Sequence, residues 1–155
     1  MLIDAGPRDQ RPVQALPDYG LTYCGEALSE DLTIAGEVRV TLSVQSNCRD
    51  TDFVAKLTDL HPDGSAMLLI DGAIRAMYCH PSGEPHHLAP DRVERVTINL
   101  GHICHTIGAG HRIEVDVTSS NFRAAPATLT AAIRYWRMTA TPTSASPATP
   151  FTTPS

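Results

Sequence analysis

The chain has 155 residues, 42% hydrophobic and 19% charged, with a formal net charge of −5. That is enough apolar residue for one domain with a core, and the singly scattered basic residues leave no patch to neutralise phosphates, which excludes a nucleic-acid-binding class. No apolar run nears the roughly 20 residues a bilayer crossing needs, and MLIDAGPRDQRP lacks the basic and apolar regions of a signal peptide, so a cytoplasmic chain is expected.

Residues 1–20 carry Pro7, Pro12 and Pro17 and read as an extended lead-in, not an element. After them the period becomes two. In EVRVTLSVQS, Val38, Val40, Leu42 and Val44 share one face, against Arg39, Thr41, Ser43 and Gln45, which predicts a half-buried strand. DFVAKLTDL repeats the pattern, with Phe53, Ala55 and Leu57 against Lys56 and Thr58. Asp63-Gly64 in HPDGS signals a hairpin. SAMLLIDGAIRAMY is its return strand, with a bulge or bend expected at Asp71-Gly72. VERVTINL turns Val96, Ile98 and Leu100 inward. In GAGHRIEVDVTSS, Ile113, Val115 and Val117 face in, while Arg112, Glu114 and Asp116 face out. Five or six such strands predict an all-β sandwich over residues 21–122. Residues 123–155 are rich in Ala, Thr and Pro; ATLTAAIRYW passes for a short helix, and the rest reads as a linker-like tail of low complexity.

Chemistry-bearing patterns are scarce. There is no G-x-S-x-G nucleophile elbow, no P-loop and no dinucleotide fingerprint. Cys24, Cys48, Cys79 and Cys104 stand far apart and read as free thiols. His102, Cys104 and His105 (HICH), with His86-His87 and Cys79-His80, invite a zinc reading, but their spacing matches no standard pattern and residues 101–110 read as a loop. Asp50-Thr51-Asp52 reads as a solvated turn before a calcium half-site, and Asn121 and Phe122 as loop cap and core before a ligand groove. No catalytic, cofactor-binding or metal residue is therefore assigned, and no cofactor is expected.

Three stretches together carry a family resemblance: GPRDQRPV (6–13), DTDFVAKLTDLHPDGSAMLLIDGAIRA (50–76) and GAGHRIEVDVTSSNF (108–122). In order and spacing they resemble the C-terminal domain of X-Pro dipeptidyl-peptidases and cocaine-esterase-like (CocE/NonD) serine hydrolases. The resemblance implies a jelly-roll related to galactose-binding domains that packs on an α/β-hydrolase domain and helps wall its active site. The family's Ser-His-Asp triad sits in the hydrolase and cap parts, so no catalytic residue carries over. The family places an opening strand before GPRDQRPV; with only MLIDA there, an incomplete sandwich is expected.

After SSNF the family continues like P-R-x-x-R-N-L-N and closes with a strand like T-V-Y-H. Neither is present here. Codons starting at the third base of Phe122 permit F-P-R-x-x-R-N-[LT]-N, using Arg123, Ala124, Ala127, Thr128, Leu129 and Thr130, and the same offset permits N-T-V-Y-H-A across Thr149 to Pro154. Residues 123–155 are therefore expected to be a frameshifted tail. The functional expectation is a non-catalytic β-sandwich domain of a serine hydrolase, inactive alone, with the hydrolase domain as partner and neither nucleic acid nor membrane. The alternatives are a stand-alone carbohydrate-binding-like module, for which aromatic residues at 5% are scarce, and one half of a split hydrolase.

Overall fold

The structure, a computed structural model, describes residues 8–16, 20–46, 48–80, 83–89 and 92–119, and the backbone alone of 131–142. Within them the chain is an all-β sandwich of two antiparallel sheets, as expected. One helical turn, α1 (Arg11–Gln14), precedes β1 (Leu21–Ala27), β2 (Leu32–Ser46), β3 (Asp52–Leu60), β4 (Ala66–Arg75), β5 (Val93–Ile107), β6 (Arg112–Thr118) and β7 (Ala131–Pro142). The first sheet has the order β1-β6-β3-β4, the second β5-β2-β7.

Alternation decides which faces meet. Val38, Val40, Leu42 and Val44 from β2 and Val96, Ile98 and Leu100 from β5 are buried against Phe53, Ala55 and Leu57 of β3 and Ile113, Val115 and Val117 of β6. These are the residues the period-two reading turned inward. The β3–β4 hairpin turns at the predicted place: Gly64 takes φ 84°, and Asp63 Oδ1 accepts from the Ser65 amide at 2.8 Å.

Several expectations need correcting. The irregularity of β4 is not at Asp71-Gly72, which pair in register with Lys56 and Ala55; the slip lies between Leu57 and Thr58, leaving Leu69 as the extra residue. Gly72 instead permits close approach of the two sheets. A Cβ there would stand 2.6 Å from the Asn99 carbonyl oxygen and 3.0 Å from Leu100 Cα. Because those atoms are backbone, β5 would have to move. Gly72→Ala is expected to cost about 1–3 kcal/mol in urea unfolding, by overpacking alone.

Residues 76–78 are a 3-10 turn rather than the end of the return strand. The strand at β1 was not anticipated. Residues 101–107 are not a loop, since β5 runs unbroken through them. The lead-in is also more than an extended segment. Asp9 bridges Met67, the Gln10 amide donates to Ala66 O at 2.7 Å, and α1 follows. In the tail, a short helix at 127–136 gives way to strand from Ala131 onward, where β7 pairs antiparallel with β2; 127–130 lie outside the described residues, as do Asn121 and Phe122.

Candidate functional site

Two polar groups lie at buried positions. The first covers the outer face of the β6-β3 sheet. Glu114 and Asp116, expected to face solvent, are 5% and 0% exposed. The reason is long-range: α1 folds across this face, and Gln14 Nε2 donates to Glu114 Oε1 at 2.7 Å and to Asp116 Oδ2 at 3.0 Å. Thr22 Oγ1 donates to Asp116 Oδ1 at 2.6 Å, Thr58 Oγ1 to Glu114 Oε1 at 3.1 Å, and Lys56 Nζ to Gln10 Oε1 at 3.3 Å. This layer fastens the lead-in to the sheet.

Burial pushes the Glu114 carboxyl above its ordinary range, and Asp116 beside it adds to the shift, against the hydrogen bonds from Gln14 and Thr58. Burial likewise pulls the Lys56 ammonium below its ordinary value. A carboxyl whose folded-state pKa is raised holds its proton more tightly folded than unfolded. Its contribution is therefore fully present below the ordinary glutamate value of about 4.3 and is lost as pH rises through the raised value. Glu114→Gln keeps an oxygen to accept from Gln14 and Thr58 and removes the charge. It is expected to raise Tm at pH 7 by about 2–5 °C and to flatten the fall in stability above about pH 4.5, read by thermal melts across pH.

The second group lies at one end of the sandwich, between the sheets. Asp59 is 4% exposed. It continues the inward face of Phe53, Ala55 and Leu57 on β3, so a carboxylate stands where the alternation calls for an apolar residue. Three histidines surround it. His111 Nδ1 is 2.8 Å from Asp59 Oδ1, while His61 Nε2 and His105 Nε2 stand 3.6 Å and 3.7 Å from Oδ2. The His61 and His111 rings lie with centroids 4.3 Å apart, tilted by 38°. Each histidine is brought by a different segment: His61 by the β3–β4 hairpin, His105 by the end of β5, and His111 by the turn into β6.

The histidines singled out from sequence do not converge as a set. On β5 alternate residues face opposite ways, so His102 and Cys104 are exposed and only His105 points inward. Cys79, His80 and His86 line a separate cleft with Arg92 and Arg95, the His80 and His86 rings 5.6 Å apart. Asp50 binds Arg75 Nε at 2.7 Å and the Met77 amide at 3.1 Å, so it closes a strand end. The four cysteines are free thiols. Among the described residues no serine, threonine or cysteine side chain hydrogen-bonds to His61, His105 or His111, so the Asp59–His111 pair has no hydroxyl or thiol to activate. Asp59, His61 and His111 continue the core parity of β3 and β6 past the ends of the apolar runs, and that continuation is the only signal of them in the sequence.

Comparison with known proteins places the fold. Residues 9–147 match the family described as the X-Pro dipeptidyl-peptidase C-terminal non-catalytic domain. The chain belongs to this family. As a member of the X-Pro dipeptidyl-peptidase C-terminal family it is 40% identical over 119 residues to cocaine esterase of Rhodococcus sp. (strain MB1 Bresler), which covers 77% of this chain and 21% of that protein. Among solved structures it is similar to an alpha-amino acid ester hydrolase, with TM-score 0.69 and 32% identity over 75% of this chain and 20% of that one. An aminopeptidase from a marine sediment archaeon, Thaumarchaeota archaeon, gives TM-score 0.69 and 31% identity over 79% of this chain and 22% of that one. A CocE/NonD family hydrolase from Staphylococcus aureus shares the fold at TM-score 0.61, with 17% identity. The chain thus spans about a fifth of the length of these relatives. It corresponds to the part of these relatives that the family describes as a C-terminal non-catalytic domain.

Proposed function

We propose that this domain packs on the α/β-hydrolase domain of a serine hydrolase and helps wall its active-site cleft, adding no catalytic group of its own. The whole protein is then an ester or acyl hydrolase, or a dipeptidyl-peptidase cutting after Xaa-Pro. The observation that carries this reading is the pairing of a non-catalytic family match over 9–147 with a relative of which the matched region makes up only 21%. The strand orders β1-β6-β3-β4 and β5-β2-β7 support a jelly-roll of the galactose-binding kind. Free thiols support a reducing, cytoplasmic setting. The net charge of −5 supports a partner other than nucleic acid, and among the described residues no helix is long and apolar enough to cross a membrane.

The same proposal takes residues 123–155 as translated out of the family's frame. Its support is the codon compatibility of two family motifs at one offset; the in-frame residues nonetheless give β2 a partner at 131–142, with the register interrupted at two points. Sequencing the coding DNA on both sides tests the whole reading. The expected result is hydrolase sequence upstream in continuous frame and F-P-R-x-x-R-N codons after Phe122. A separate upstream hydrolase gene would mean a split enzyme. No hydrolase nearby would favour a stand-alone carbohydrate-binding-like module.

A further inference from the structure

The Asp59 cluster has the composition and geometry of a metal site. Asp59, His61 and His111 offer ligand atoms that all lie within 4.8 Å of one another. Tetrahedral nitrogen and oxygen ligands bound at about 2.0–2.1 Å stand about 3.3–3.4 Å apart, so separations of this order close around an ion with small rotations of the rings. His105 adds an independent observation. Its Nε2 is buried and has no hydrogen-bond partner, and it stands 3.7 Å from Asp59 Oδ2, beyond hydrogen-bond reach. A buried ring nitrogen without a partner is a cost in a finished core, and a cation between it and the carboxylate removes that cost. The ring side chains are 22–40% exposed, which leaves a way in from solvent, whereas the Asp59 side chain is 6% exposed. Four donors from three separate segments at inward-facing positions are not what a solvated histidine surface produces.

We propose that Asp59, His61 and His111 bind one divalent transition-metal ion, Zn²⁺ by the chemistry of three imidazoles and one carboxylate, with His105 as the fourth donor. Four protein ligands close the coordination shell, so the site is structural. The ion fastens the end of β5 in one sheet to β3 and the β6 turn in the other. This does not rest on the proposed function, and its test needs no substrate.

The full chain, freed of metal by chelation and dialysed, is titrated with Zn²⁺ by calorimetry, and with Co²⁺ while visible absorption is recorded. One Zn²⁺ per chain at micromolar affinity or tighter is expected, together with intense tetrahedral Co²⁺ bands and a rise in Tm that chelator reverses. Ca²⁺ and Mg²⁺, which require oxygen ligands, should leave Tm unchanged. Asp59→Asn, His61→Ala and His111→Ala should each weaken Zn²⁺ binding at least about tenfold, and His105→Ala should change the Co²⁺ spectrum. His102→Ala, on the opposite face of β5, should leave binding unaltered. Failure of the unmodified chain to bind Zn²⁺ overturns the proposal whether or not the variants fold. Binding that His102→Ala weakens as much as the cluster variants do also overturns it, by placing the ion elsewhere.

Discussion

Leu57→Ala lowers the unfolding free energy by about 3 kcal/mol, within the range of about 2–5 kcal/mol for emptying a leucine site in a close-packed core. Leu57 is 0% exposed. It lies on β3, which is paired on both sides, by β4 and β6, so the strand cannot slide to fill the void. The loss combines the transfer of the missing methyl and methylene groups with the cavity left behind. For a domain of ordinary stability, about 5–15 kcal/mol, it is a large fraction of the total. Urea unfolding followed by circular dichroism should show a lower midpoint with an unchanged slope. Leu16→Ala provides the comparison: Leu16 is 46% exposed, and its change should stay within about 0.5 kcal/mol.

A chain ending at Thr130 loses β7 and, we expect, loses cooperative folding or self-associates. β2 spans Leu32–Ser46 and is the centre of its sheet, with β5 on one side and β7 on the other. Removing β7 turns a fifteen-residue strand into an edge with a row of unpaired amides and carbonyls, which recruits other chains. Light scattering should report oligomers, and the urea transition should broaden. If residues 131–155 were only a linker, the shortened chain would stay monomeric with the full-length midpoint. Composition hid this strand: its Ala- and Thr-rich segment has no apolar alternation, and its pairing comes from β2, far away in sequence.

The rest of the fold divides in the same way between local and long-range causes. β2, β3 and β6 were legible because Val, Ile and Leu alternate with polar residues there. β5 was legible only to Leu100; there a register shift leaves Leu100 as an extra residue and reverses the parity, so that Ile103, His105 and Ile107 turn inward while His102, Cys104 and Thr106 face out and read as polar loop. β1 carries one buried residue, Gly25, and so shows no apolar face. The burial of Glu114 and Asp116 was not legible from their own strand, because it depends on Gln14, 100 and 102 residues away. The Asp59 cluster was legible in principle. A charged residue at a core-parity position, followed two residues later by His61, is a local contradiction of the pattern, and such contradictions are resolved by a partner brought from elsewhere. The family resemblance, resting on three motifs, agrees with the family match over residues 9–147.

The family is described as non-catalytic, and no reactive serine is expected in this β-sandwich. Labelling the purified full-length chain with a fluorophosphonate, beside assays with aryl esters and Xaa-Pro-nitroanilides, tests it directly. No covalent adduct in intact-mass spectra and no turnover above buffer are expected. A stoichiometric adduct on one serine, with turnover abolished in step, would contradict it.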